Sequence, residues 1–351
     1  MDCKPAPQIV EHVCHPVLYT PFAVSWIRNS PRFVVGGQYP KATGALKVYE
    51  LQQGKLAEVH NVDLKQGVKC GRMFDASTLA TGDFQGTLTL WDLTKAAPKW
   101  SHKAHDKIVN AVDCSGGCLG PNEIVTASRD GCVRLFDPRT SEPVVSLEPP
   151  SDGAVDAWSV ALGNSFSEAD RSIACGYDNG DVKLFDLRTM RLVFEENVKN
   201  GVTHLEFDRK DIAMNKLHAS CLEGKLLTFD LRTYHPTAGF ARVTTGLGNK
   251  ATVWQTRTLP QNREISACFS GGGDLTVHKY MYPTQRRVKD AENPNLEMGV
   301  AGSMEILNER AGLAQQPVVA CDWHPEKCGL LAMGALDQSL RVAIVTKLNE
   351  Y

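Results

Sequence analysis

Asp178-Asn-Gly-Asp-Val-Lys-Leu-Phe-Asp186, nine residues from the middle of the chain, carries the reading of the fold. Val182 and Leu184 alternate with Asp181 and Lys183, the period of a strand with one buried face. Asn179-Gly180 ahead of them supplies the positive backbone dihedrals of a tight hairpin. Ile173 to Gly176 (IACG) reads as the strand on the far side of that turn. The phrase recurs closely at Asp83 to Asp92 (DFQGTLTLWD), Asp130 to Asp137 (DGCVRLFD) and Glu223 to Asp230 (EGKLLTFD). Looser copies stand at Thr43 to Glu50 (TGALKVYE), Gly273 to Lys279 (GDLTVHK) and Asp337 to Ile344 (DQSLRVAI).

The aromatic position of the phrase falls at Tyr49, Trp91, Phe136, Phe185 and Phe229, then at His278, and finally near Ala343. The first five intervals are 42, 45, 49, 44 and 49 residues, close to the roughly 40–45 residues of a four-stranded propeller blade. The last, of 65, requires an insertion. It is placed at residues 283–317, where the pattern lapses into charged and small residues such as Arg286, Arg287, Lys289 and Asp290, and its polarity predicts an extended surface loop. A single small sheet cannot bury both faces, so seven units must stack around an axis, and closing the ring removes exposed edges. The expected fold is therefore all-β, one seven-bladed propeller over residues 1–351.

These copies resemble the WD-repeat family, whose blades end in Trp-Asp and carry Gly-His before the first strand. Trp91-Asp92 gives the literal dipeptide; Phe136, Phe185 and Phe229 replace the tryptophan elsewhere, and Ala104-His105 replaces Gly-His. The resemblance implies repeat-defining roles for Asp83, Trp91, Asp92, His105, Ser128, Asp130, Asp137, Asp178, Asp186 and Asp230. It also implies a hydrogen-bonded set of His105, Ser128 or Thr126, and Asp130, in which Phe136 has no donor for the fourth bond. In such propellers the outermost strand of the last blade often comes from the opposite terminus, and Gln8 to Cys14 (QIVEHVC) fits that role.

Further segments, among them Cys175 to Arg188, Leu205 to Leu217, Leu222 to Ala241, Leu259 to Glu264, Glu297 to Ser303 and Ile344 to Asn349, resemble the WD-repeat proteins counted among the axonemal dynein assembly factors. The likeness runs from about Gln8 to Asn349. It implies a cytoplasmic adaptor, monomeric within a larger complex. Its expected partners are an Hsp90 co-chaperone machinery of prefoldin-like and AAA+ ATPase subunits, and dynein heavy chains as clients.

Composition sets the outer limits. Apolar residues make up 42% of the 351 and charged residues 22%, the balance of a folded protein. A net charge of −2 leaves no positive field for a phosphate backbone, so nucleic acid is not an expected ligand. No run of about 18 apolar residues occurs, and Met1 to Val10 is neither basic nor strongly apolar, which predicts a cytosolic chain with no membrane partner. Eleven cysteines in such a chain are expected to be reduced strand residues.

Chemistry-bearing patterns are few. His102, His105, Cys114 and Cys118 lie within 17 residues but lack the tight ligand pairs of a zinc site, and His12, Cys14 and His15 follow from strand alternation. Gly246 to Ala251 (GLGNKA) fits a variant dinucleotide fingerprint, yet the strand-like Thr252 to Arg257 follows it where a helix is needed. No catalytic, metal or cofactor residues are assigned, and no enzyme is expected. Partner binding is the remaining role. Trp26, Trp158, Trp254 and Trp323 lie in segments expected near the channel, where Trp158 and Trp254 join the loop residues Asn110, Arg129 and Tyr177 as docking candidates. Arg188 and Arg232 end Phe-Asp-Leu-Arg corners similar to the WDxR motif of cullin-RING ubiquitin ligase substrate receptors, the alternative reading. Glu297 to Ser303 (EMGVAGS) is a candidate contact inside the insertion.

Overall fold

Each repeat phrase is the third strand of a four-stranded antiparallel sheet, and the turn ahead of it depends on glycine. At Gly86 φ is +90°, and a Cβ there would lie 2.1 Å from the carbonyl oxygen of His105 in the next blade, so only glycine fits. The computed structural model describes residues 6–116, 120–140, 142–149, 153–247 and 250–351. Blade 1 is built from Thr20–Trp26, Arg32–Gln38, Gly44–Gln52 and Lys55–Leu64; blade 2 from Val68–Met73, Thr78–Asp83, Thr87–Asp92 and Ala97–Lys103. Blade 3 uses Val109–Ser115, Glu123–Ser128, Val133–Phe136 and Pro143–Leu147; blade 4 uses Ala157–Gly163, Ser172–Tyr177, Asp181–Asp186 and Arg191–Asn197. Blade 5 comprises Val202–Phe207, Lys216–Cys221, Lys225–His235 and Gly239–Gly246; blade 6 comprises Val253–Leu259, Asn262–Ser270, Leu275–Met281 and Ser303–Arg310. In blade 7, Val318–Trp323, Leu330–Ala335 and Ser339–Val345 are joined by Ile9–Pro16, which pairs antiparallel with Ser339–Val345.

The first strands touch one another in sequence around the ring, and Val318–Trp323 returns to Thr20–Trp26. The fold is thus all-β and seven-bladed. Its core is not one body but a series of slabs between neighbouring blades. Val34, Leu46 and Val48 of blade 1 meet Leu79 and Trp91 of blade 2, and Leu88 and Leu90 of blade 2 meet Ile124 and Phe136 of blade 3. Each such side chain, removed from water, contributes about 1.5–3 kcal/mol. The aromatic position sits in these slabs: Tyr49, Phe136, Phe229 and His278 are all buried. In blades 1, 2, 3, 4 and 6 a bulge in the outer pairing falls immediately before it, which turns the side chain inward.

The repeat aspartates divide into two sets. Asp92, Asp137, Asp186 and Asp230 each accept the backbone N–H two residues on, at 2.9, 2.9, 2.8 and 3.0 Å, and so form the turn that leaves the third strand. Asp83 and Asp130 cap the turn before that strand, taking N–H groups from Gln85 and Thr87 and from Cys132. Asp130 also meets His105 Nδ1 at 3.0 Å, while His105 Nε2 lies 2.7 Å from the Thr126 hydroxyl. The hydroxyl of this set is therefore Thr126. Ser128 instead accepts the N–H of Asp130 at 3.1 Å, because it stands two residues nearer the turn. Burial opposes charge on Asp130, but the His105 ring and the Cys132 N–H outweigh it and hold the carboxyl well below its usual range. Blade 2 has the other half of the pattern: Trp91 Nε1 donates to the Thr81 hydroxyl at 2.8 Å. Asp178 departs from its predicted role. It lies exposed, and Asn179 and Asp181 make the bonds of that turn, since residues 148–156 ahead of blade 4 hold no histidine to meet it.

The segment 283–317 is not an extended loop. Arg287–Lys289 and Glu297–Gly299 pair as a small ribbon, and Ser303–Arg310 is the fourth strand of blade 6. Its polarity misleads because that strand is an outer edge, with four of its eight residues in solvent.

Candidate functional site at the channel mouth

All seven first strands share one irregularity. Each has a buried residue in its first or second place, Pro21, Val68, Val109, Ala157, Val202, Val253 or Val318, and a register shift follows directly. The residues left unpaired by those shifts are Phe22, Lys69, Asn110, Trp158, Thr203, Trp254 and Val319, and every one is half-buried. All seven line one cavity of about 350 Å³ on the axis. A bulge swings its extra side chain out of the pleat, and seven at equivalent places make a ring around the mouth of the channel.

Three of the seven ring residues, Phe22, Trp158 and Trp254, are aromatic and half-open. The Phe22 ring meets Phe84 edge to face at 5.5 Å, and Lys69 Nζ stands 5.0 Å from the Phe22 centroid. Partial burial pushes the Lys69 ammonium below its usual pKa. The Trp158 indole is admitted by Gly201, where a Cβ would come within 2.8 Å of Cζ3. Polar members anchor the ring. Asn110 Nδ2 donates to the Ala157 carbonyl at 2.9 Å and the Thr203 hydroxyl donates to the Val253 carbonyl, each reaching the first strand of the next blade.

Deeper in the channel lies a belt of charge. Asp113 accepts the N–H of Leu162, Glu206 that of Thr258 and Asp322 that of Trp26, at 2.9, 2.8 and 2.9 Å, so each carboxylate ties its blade to the following one. Arg72 stands 3.7 Å from Asp113 and 3.5 Å from Asp322. Arg257 pairs with Glu206 at 2.6 Å, and Lys210 with Asp113. Three cations thus face three carboxylates. Burial raises the pKa of Asp322, whereas Lys210 and Arg72 overcome burial at Asp113 and lower it. Cys70, on the cavity wall, has its thiol pushed up to about 12 by burial, which keeps it protonated and unreactive. The mouth thus sets apolar faces and one cation over a neutral, internally paired floor.

The sequence candidates separate on this map. Asn110, Trp158 and Trp254 come together in the ring, and Arg129, 59% exposed and 3.3 Å from Asp156, stands on a neighbouring loop. Tyr177 packs into the slab between blades 3 and 4. Trp26 and Trp323 lie buried at the far end of their strands, their Nε1 groups donating to the carbonyls of Asp322 and Arg257. Arg188 and Arg232 are on the opposite face, since Asp186 pairs with Ser172, which pairs with Gly163 at the far end of its strand. The Arg139 guanidinium folds back on Asp137 at 2.5 Å and that of Arg188 on Asp186 at 3.9 Å, whereas Asp230 is taken by Arg286. The three corners therefore do not present one motif. Phe22, Lys69, Thr203 and Val319 were not identified from sequence; their signal is position, one residue after the buried residue near the start of each first strand.

The remaining motif residues are spent on packing. His105 is committed to Asp130 and Thr126, the Cys114 thiol donates to the Met73 carbonyl at 3.2 Å, and Cys118 lies outside the described residues. Among the described residues no three His, Cys, Asp or Glu side chains are grouped to hold a metal. Residues 248 and 249 of the GLGNKA stretch also lie outside them, and the strand Val253–Leu259 follows.

Residues 97–137 match the model of the WD domain, G-beta repeat family. That stretch takes the outer strand of blade 2 with three strands of blade 3, and includes His105, Thr126 and Asp130. Over 361 aligned positions the chain is 47% identical to dynein axonemal assembly factor 10 of Homo sapiens and to that of Bos taurus, with 100% of each chain covered. The Chlamydomonas reinhardtii protein of the same name is 46% identical over 100% of both chains. The blades, the repeat chemistry and this full-length similarity together place the chain in the dynein axonemal assembly factor 10 family of WD-repeat proteins.

Proposed function

We propose that this protein is a non-catalytic adaptor in the cytoplasmic preassembly of axonemal dyneins, and that it docks a partner segment on the ring at the channel mouth. The observation that carries the reading is the identity of nearly half of all positions, end to end, with proteins named for axonemal dynein assembly. The mouth supplies a physical means. Trp158 and Trp254 offer large rigid surfaces at small entropic cost, on a frame whose strands are locked by neighbouring blades. The finer assignment is a bridge between a co-chaperone assembly of prefoldin-like and AAA+ ATPase subunits and dynein heavy chains.

Affinity purification from a ciliated cell, followed by mass spectrometry, tests it. The wild-type chain is expected to recover co-chaperone ATPase subunits and dynein heavy chains, and a Trp158→Ala/Trp254→Ala variant to lose one of those groups. Recovery of a cullin adaptor in their place would overturn the assignment. Full retention of both groups by the variant would remove the mouth from it.

A further inference from the structure

The chain departs from its own repeat between Tyr282 and Gly302. Blades 1, 2, 4 and 5 join their third and fourth strands by short turns; blade 6 makes a ribbon there and lays it on blade 5. Arg286 clasps the buried Asp230 through Nε at 2.9 Å and Nη2 at 2.5 Å, and the Tyr282 hydroxyl accepts bonds from Asn215 and Lys216 at 2.5 and 2.7 Å. Blade 5 reaches out to meet it, its third strand running on to His235. Between the two is a groove of about 420 Å³, lined by Tyr234, Pro236, Arg287, Lys289, Pro294 and Leu296 among others.

The groove pairs an apolar wall with unspent positive charge. Tyr234 is 47% exposed and is braced from behind by Phe240 at 5.4 Å. Lys289 on the groove wall and Arg232, outside the lining but two residues before Tyr234 on its strand, are exposed, and among the described residues neither side chain has a carboxylate partner. Arg287 divides itself between Glu297 at 3.2 Å and the Arg232 carbonyl at 2.8 Å. In a chain of net charge −2, cations left unpaired around an exposed tyrosine and two prolines favour an anionic occupant with an apolar anchor. We propose that this groove docks an acidic peptide segment of a protein partner that carries leucine or aromatic residues. The apolar side chain rests on Tyr234 and the prolines, and the carboxylates meet Lys289, Arg287 and Arg232. This is a second docking surface, independent of the channel mouth.

The test uses the full chain and a fluorescein-labelled peptide of about twelve alternating glutamate and leucine residues, read by anisotropy, with the lysine-for-glutamate peptide and phosphatidylserine vesicles as comparisons. Saturable binding of the acidic peptide alone is expected. Arg232→Glu/Lys289→Glu should weaken it about tenfold or more, and Lys55→Glu/Lys65→Glu, on exposed lysines of blade 1, should leave it intact. Hydrogen exchange in the complex should slow at residues 231–235 and 287–297. Thermal melting of both variants should match the parent, since all four residues are exposed. Absent binding, equal binding of the lysine peptide, an undiminished Arg232/Lys289 variant, an equal loss in the blade 1 variant, or preference for the vesicles would each overturn the proposal.

Discussion

The two ends of the first strands are made of the same backbone and do opposite work. At the mouth, seven unpaired positions hold side chains of six kinds, of which the aromatic ones and Lys69 are left half-open. Three residues further along, the strands carry Arg72, Asp113, Glu206, Arg257 and Asp322, each tied to a partner on another blade. The lesson is a division of labour within a distance of a few residues. Specificity of closure is fixed where charges are paired and dry, so the mouth is free to vary without opening the ring.

The sharpest way to break that comparison is at the belt. Glu206→Ala removes the acceptor of both Arg257 and the Thr258 N–H, and leaves a buried guanidinium unpaired. Breaking one side of such a pair costs about 3–5 kcal/mol. Guanidinium unfolding should show a loss of this size, the largest of the single substitutions considered. A loss below about 1 kcal/mol would mean that the belt is solvated and the blades hold by packing alone.

A smaller effect comes from the histidines set into the frame. His278 occupies the aromatic position of blade 6, fully buried, with neither ring nitrogen partnered among the described residues. Burial lowers its pKa to about 4, and burial together with nearby Lys216 lowers that of His218 to about 3. The unfolded chain takes up these protons near pH 6.5 and the folded chain does not, so stability is full above pH 6.5 and falls as pH drops from there toward 4. At pH 5 each histidine should withdraw about 2 kcal/mol. His278→Phe supplies the residue type that blades 3, 4 and 5 use at this position, and should raise stability and remove about half of the acid loss from the pair. Denaturation midpoints at pH 7.5 and 5.0 would show it; an acid loss unchanged in the variant would count against the neutral, buried state of His278.

What the sequence reveals follows the same divide. The third strand is legible in every blade because its turn, alternation and aromatic position are demanded by the slabs; even His278 falls where the period puts it, and Ala343 does once the insertion is allowed for. The fourth strand of blade 6 is not, because an edge strand needs no apolar pattern and the ribbon separates it from its neighbours. The mouth is legible only where it is conspicuous. Trp158, Trp254 and Asn110 draw notice by type, but Lys69, Thr203 and Val319 resemble any strand residue, and a bulge leaves no compositional mark. Trp26 and Trp323 show the limit of reading by type: the same residue on the same strand serves packing at one end and the channel at the other.

A milder probe of the frame is Trp91→Phe. Phenylalanine fills this position in three other blades, so packing should be kept while the bond to the Thr81 hydroxyl is lost. The expected cost is about 1 kcal/mol by urea unfolding. A cost near zero would show that the indole bond adds nothing to a slab already closed by Leu79 and Val34.

The smallest change in stability is expected at Lys69, and its sign is what matters. The ammonium is partly desolvated, it stands over the Phe22 face with no carboxylate partner among the described residues, and burial already lowers its pKa. Lys69→Met keeps the length of the stem and removes the charge, so the folded chain should be unchanged or more stable by up to about 1 kcal/mol. Residues kept against stability are the mark of a surface shaped for something else, whereas every belt substitution should destabilise. The same variant should weaken recovery of the partner that the mouth holds, because the ring loses its one cation. A loss of stability above about 1 kcal/mol in Lys69→Met would place Lys69 in the frame and erase the distinction between the two ends of the channel.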